Sequence, residues 1–187
     1  MNCFPVSRFI RSELDAERGR FRLTTAFSSR SPPGSHVGDD MATLGLDRAG
    51  AIIDAALAEG RKRRIAPLAV AVLDAGGHLV AFKREDGAGF LRFDIAHGKA
   101  WGALGMGFGT RELAERSGRS PAFVGALSVA SQGRVIPSPG GVLIAGPEGE
   151  VVGAIGISGD TGDNDEICAL AGIAAVGLSA IPGAAAG

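Results

Sequence analysis

The sequence predicts an α+β domain in which helices cover an antiparallel sheet. Two observations carry this prediction. The stretches PLAVAVLDAGGHLVAFKR and VLIAGPEGEVVGAIGI each set two apolar runs around a short turn sequence, the pattern of a β-hairpin. No regular alternation of strand, helix and strand runs along the chain, so a doubly wound parallel sheet of the Rossmann type is excluded.

Taken in order, residues 1–40 have no sustained period and end in SSRSPPGSHVGDD, a proline, serine and glycine cluster that reads as linker. They are expected to form a flexible extension, and a chain opening at Met41 would hold the whole domain, 41–187. Leu46, Ala49, Ile52, Ile53, Ala56 and Leu57 then recur at helical spacing. The following RKRR suits the negative end of that helix's dipole. DAGG turns the first hairpin. After EDGAG comes a helix over about 90–104, then glycine-rich GMGFG, a helix opened by Thr110, and another with Ser120 as cap and Pro121 in its first turn. PSPGG leads into the second hairpin, turned at PEGE, and a last helix is expected from about Asp165 to Leu178.

The totals narrow the function classes. A chain of 187 residues suits one ordinary domain. With 19 basic against 20 acidic groups it lacks the positive field that nucleic acid or an anionic membrane requires. No apolar run approaches the roughly 18 residues of a spanning helix, and the first twenty residues lack the apolar core of a secretory signal. Cys3 and Cys168 lie at opposite ends, which is no disulfide framework and fits a reduced, cytoplasmic setting. Thirty glycines stand against nine phenylalanines, one tryptophan and no tyrosine. Small residues bury little area each, so covering faces with other subunits brings a large gain and a homo-oligomer is expected.

GMGFG resembles a dinucleotide fingerprint but follows a helix rather than a strand, and reads as a flexible connector. GISGDTGDNDE, residues 156–166, fails as a calcium loop because Asp165 falls where the sharp turn needs glycine. Its spacing fits a helix start, with Asp163 and Glu166 forming a carboxylate capping box. Asp160 is left over. On the 90–104 helix, Arg92 and Lys99 fall about 20° apart at 100° per residue, between an apolar face (Phe93, Ala96, Ala100, Ala103, Leu104) and a second one bearing Gly98 and Gly102. That small second face would admit another element, from this chain or another subunit. Two cations there, near Arg84 and Asp86, suit a carboxylate or phosphate ligand. His97 lies at the border with Asp94 one turn behind, where a hydrogen bond would orient the ring and raise its basicity. His78 begins the strand after DAGG. Cys168, surrounded by acids, is expected to be a buried and unreactive thiol. No nucleophile elbow or zinc spacing is present in the sequence.

VAVLDAGGHLVAFKREDGA, DIAHGKAWGAL, PGGVLI and GAIGISGDTGDNDE, in this order, resemble the GlcG/HbpS family of heme-binding proteins, whose domain also ends PduO-type cobalamin adenosyltransferases. The resemblance spans about 42–180. It implies a profilin-like fold, a central five-stranded antiparallel sheet flanked by helices on both faces, assembled into dimers or higher oligomers. It also implies binding of heme or a related tetrapyrrole, with the PGG segment, Gly140 and Gly141, at the pocket rim. The proline that usually follows that segment is absent.

Three functions are expected from these readings. In the first, a heme-handling protein, Arg92 and Lys99 hold propionates and His97 ligates the iron, with His78 as the other candidate nitrogen. In the second, an enzyme acts on a small organic acid, with Arg84, Arg92 or Lys99 gripping the anion and Asp86, His97 or Asp160 moving a proton. The third is a non-catalytic accessory subunit.

Overall fold

The structure, a computed structural model, describes residues 14–15, 20–21 and 44–183. β1 (Leu14–Asp15) and β2 (Arg20–Phe21) pair antiparallel, with Leu14 opposite Phe21. Apart from these four residues, the expected extension 1–40 lies outside the described residues.

α1 (Leu46–Arg63) buries Ala49, Ile52, Ile53 and Ala56, the stripe its periodicity marks. Arg61, Lys62 and Arg63 form its last turn, and Arg64 ends it in the left-handed region. β3 (Ala69–Asp74) and β4 (Leu79–Arg84) make the first hairpin, whose turn needs the positive φ of Gly77. α2 (Arg92–Met106), α3 (Thr110–Arg119) and α4 (Pro121–Ala130) follow. β5 (Gly141–Ala145) and β6 (Val151–Ser158) form the second hairpin; α5 (Gly162–Ala175) and β7 (Ser179–Ile181) complete the chain. The strand order is β4-β3-β6-β5-β7, antiparallel throughout. Among the described residues no helix is long and apolar enough to cross a membrane.

The two faces of the sheet differ in side-chain size, and that difference decides which helix lies where. Val70, Val72, Ile144, Ile155 and Ile157 point to one side and pack with Ile52, Ile53 and Ile173 beneath α1 and α5. Each such burial contributes about 1.5–3 kcal/mol. The other side carries Ala69, Ala71, Ala154 and Gly156 at its centre, with Leu73 and Leu143 beside them, and against it Ala96, Ala100 and Ala103 of α2 are buried. Small residues on both partners let α2 lie almost on the sheet backbone. A Cβ on Gly156 would stand 1.9 Å from the Ala96 oxygen.

Several sequence expectations shift. α2 runs through Met106, and GMGFG is no flexible connector: Gly107 caps α2 at φ 74°, while a Cβ on buried Gly109 would stand 1.8 Å from the Pro182 oxygen. The glycine face of α2 does admit another element, and it is residues 134–136 of the same chain, against Gly98 and Gly102. α5 begins at Gly162 with Thr161 as its cap, the hydroxyl accepting from Asn164 N, so Asp163 is not the cap. Both acids of the expected capping box instead accept from Arg111. α5 ends at Ala175, a turn occupies 176–177, and Leu178 lies between that turn and β7. Cys168 is fully buried, and desolvation pushes its thiol up to about 11.

Candidate functional site

The sequence-derived candidates on α2 separate onto its two flanks. On one flank, Lys99 and Asp165 form an ion pair with Nζ 2.8 Å from Oδ2, their side chains 3% and 1% exposed. Desolvation pushes the lysine pKa down and the aspartic acid pKa up, against their mutual attraction. Arg92 donates to Ser158 Oγ at 3.1 Å. Gly140, at φ 112°, leaves room where a Cβ would stand 2.8 Å from Asp165 Cβ and 3.1 Å from Lys99 Nζ. Gly141 lies so close to α2 that a Cβ would come within 2.4 Å of the Lys99 oxygen, and its N–H donates to Thr110 Oγ1 at 2.8 Å. Glu166 accepts from Arg111 through Oε1, while its buried Oε2 has no partner. Arg92, Lys99, Gly140 and Gly141 do converge, as a seam joining α2, α5 and β5. Lys99 is committed inside it.

Arg84 donates to the Ala88 carbonyl at 2.7 Å and lies with Asp86 at an open hollow of about 610 Å³, also bounded by Leu57, Lys83 and Glu85. Asp160 accepts from Ala66 N, Thr161 N and Asn164 Nδ2, at 2.9, 2.8 and 2.6 Å. The Asn164 amide and the two backbone donors hold its pKa at about 2. It fastens the approach to β3 to the start of α5. Because the folded pKa lies below the ordinary value of about 3.9, the stabilisation is present above that value and is lost as pH falls through about 2. Asp160→Asn should therefore flatten the acid-unfolding limb between about pH 4 and 2, read by circular dichroism. An unaltered limb would show that the carboxylate charge contributes nothing there.

His97 faces the other flank. From Lys99 it is about 160° round the helix at 100° per residue, so one small anion cannot touch both. Phe93, His97 and Trp101, at positions i, i+4 and i+8, form one ridge of half-buried side chains. Phe82 of β4 meets Phe93 edge-on with centroids 4.8 Å apart, and the His97 ring lies 5.7 Å from Phe93, tilted 43°. Arg134 stacks its guanidinium 4.3 Å from the Trp101 ring centre. Desolvation lowers the His97 pKa; Asp94 opposes this and Arg134 adds to it. Burial thus outweighs the expected Asp94 effect and favours the neutral imidazole, the form with a lone pair to offer. His78 lies at the hairpin turn with Nδ1 3.2 Å from Asp74 Oδ1 and its side chain 81% exposed. The same turn packs against Trp101 through Gly77.

Trp101, Phe82 and Arg134 are not among the candidates the sequence singles out. The spacing of Phe93, His97 and Trp101 is readable there, whereas Phe82 and Arg134 join through the fold. Among the described residues no group of three or more histidine, cysteine or acidic side chains could hold a metal ion by itself.

A five-stranded antiparallel sheet between helical layers, with a histidine on an aromatic ridge of the close-packed helix, defines the class: an α+β domain of the profilin-like kind. Residues 44–174 match the family model described as haem degrading protein HbpS-like, and the chain belongs to that family. It is 31% identical over 103 residues to an uncharacterized 15.0 kDa protein of the dhaT-dhaS intergenic region of Citrobacter freundii, covering 55% of this chain and 71% of that one. Over 112 residues it is 31% identical to the corrinoid adenosyltransferase PduO of the same organism, 60% of this chain but only 33% of that enzyme. A crystal structure of a PduOC:heme complex superposes with a TM-score of 0.66 at 27% identity, covering 73% of this chain and 97% of that one.

Proposed function

We propose that the protein binds heme, or a related tetrapyrrole, against the Phe93–His97–Trp101 ridge, as a cytoplasmic homo-oligomer. The observation that carries this reading is the half-buried imidazole in the middle of an aromatic stripe, where desolvation favours its neutral form. Fit supports it: a flat macrocycle gains from flat side chains, a neutral ring nitrogen is the form that ligates iron, and Arg134 beside Trp101 supplies a cation for a propionate. Membership of the HbpS-like family and likeness to the heme complex of PduOC support the ligand class. Arg134 takes the propionate role expected of Lys99, because Lys99 is bound to Asp165. Arg92, Gly140 and Gly141 brace α2 from the opposite flank.

Hemin titration followed at the Soret band tests the proposal. Wild-type protein should give a saturable, stoichiometric shift. His97→Ala should weaken binding at least tenfold, about 1.4 kcal/mol, and Arg134→Ala by less. Absence of a stoichiometric shift overturns the function. A shift unchanged in His97→Ala overturns the ligand.

A further inference from the structure

The aromatic ridge does not stop at Phe93. The turn before α2 already winds as the helix does: Arg92 N donates to the Gly89 carbonyl at 3.1 Å, Phe93 N to that of Phe90 at 3.4 Å and Ile95 N to that of Leu91 at 3.2 Å. At 100° per residue Phe90 therefore falls about 20° from each of His97 and Trp101, about 10 Å before His97 along the axis, with Trp101 about 6 Å beyond it. Phe90 is 85% exposed, the highest value of any large apolar side chain among the described residues, and its ring meets no other ring among them. The loop that presents it is fastened. Glu85 exchanges two hydrogen bonds with Leu68, its N–H donating to the carbonyl at 2.9 Å and its Oε2 accepting from the N–H at 2.7 Å. Ala88 N donates to the Glu85 carbonyl, Arg84 donates to the Ala88 carbonyl, and the Ala88 side chain is buried. An ordered turn thus holds a large apolar ring in water, where a ligand that covers it gains the burial.

The charges along the ridge are asymmetric. Asp94, exposed and placed between Phe90 and His97, acts on the imidazole from one end, and Arg134 acts on it with the opposite sign from the other. Arg134 is fixed there, its Nε donating to the Ser131 carbonyl at 3.0 Å while the guanidinium lies over Trp101. Arg84, whose guanidinium serves the loop that carries Phe90, lies at the hollow it shares with Glu85 and Asp86. A ligand carboxylate is therefore favoured at the Trp101 end and opposed by Asp94 at the Phe90 end. We propose that Phe90 receives the alkenyl edge of the tetrapyrrole bound to the ridge, with the carboxylate edge directed to Arg134, so that the ridge takes a planar amphiphile in one direction only; this rests on the tetrapyrrole reading above. Phe90 is then a specificity residue, sensing what the ring edge carries, while His97 meets the iron.

The test titrates hemin, and deuterohemin with hydrogens in place of the vinyl groups, into full-length wild-type, Phe90→Ser, Phe90→Leu and Arg134→Ala protein at the Soret band. Wild type should prefer hemin by about two- to tenfold, the scale of one aromatic contact. Phe90→Ser, at a site exposed enough to keep the fold by circular dichroism, should weaken hemin by about the same factor, leave deuterohemin nearly unchanged and so erase the preference. Phe90→Leu, which keeps an apolar side chain, should retain most of it. Arg134→Ala should weaken both ligands alike, because both carry their propionates. Equal losses for the two ligands in Phe90→Ser, or no loss, overturn the proposal while hemin binding itself stands. A vinyl preference lost in Arg134→Ala instead would reverse the direction and also overturn it. Wild-type protein that takes up no hemin overturns the proposed function, and this proposal with it.

Discussion

Gly156→Ala should unfold the domain or lower its stability by about 3 kcal/mol or more, at the upper end of overpacking costs. The added methyl would stand 1.9 Å from the Ala96 carbonyl oxygen and 2.7 Å from Ala100 N, and both are backbone atoms of α2. No rotamer change relieves such a contact; the helix itself must rise from β6. That movement would also separate Ala96, Ala100 and Ala103 from Ala71 and Ala154, which have no side-chain length with which to follow. Gly50→Ala is the control. Gly50 lies inside α1 with nothing within 4 Å of its Cβ position, so the substitution should stabilise by about 0.5–1 kcal/mol through helix propensity alone. Urea unfolding of both variants reads the contrast. Equal stabilities would mean that α2 does not rest on the sheet at this distance.

This close approach also lies beyond what local sequence patterns reveal. Both hairpins and the amphipathic period of α1 are local patterns, and they are legible. β7 is three residues long, has an exposed–intermediate–exposed profile and pairs only with β5, so nothing in its own sequence marks it; the fifth strand comes from the resemblance alone. The 156–166 stretch is legible as a corner between strand and helix but not in its detail. Thr161 out-competes Asp163 for the cap, and Asp160 finds its donor at Ala66, 94 residues away. The site divides for the same reason. Arg92 and Lys99 share a stripe in the sequence as in the structure, yet only the fold shows that Asp165 meets Lys99 there. Conversely, the i, i+4, i+8 spacing of Phe93, His97 and Trp101 is visible in the sequence, but not that Phe82 and Arg134 join them.

Lys99→Met should destabilise the protein by about 3–5 kcal/mol, and Asp165→Asn by a similar amount, because each leaves one charge buried without its partner. Both side chains lie almost wholly out of solvent, so water cannot take the place of the missing group. Desolvation already pushes the two pKa values toward the neutral forms, which shows how little the pair gains beyond the cost of its burial. The double variant Lys99→Met with Asp165→Asn should therefore be more stable than either single one. It removes both charges of the pair, and the amide placed at position 165 has no need of the ammonium. The side-chain oxygen it retains can still accept from Asp160 N, as Asp165 Oδ1 does at 3.1 Å. Stability measurements on the four proteins form a double-mutant cycle, and strong non-additivity is the expected outcome. Additive losses would sink this account, since they would mean that each group is stabilised by neighbours other than its partner. Non-additive losses would assign the pair its place in the molecule: it welds α2 to α5 beside the Gly140–Gly141 strand entry, and it keeps Lys99 out of reach of any anion.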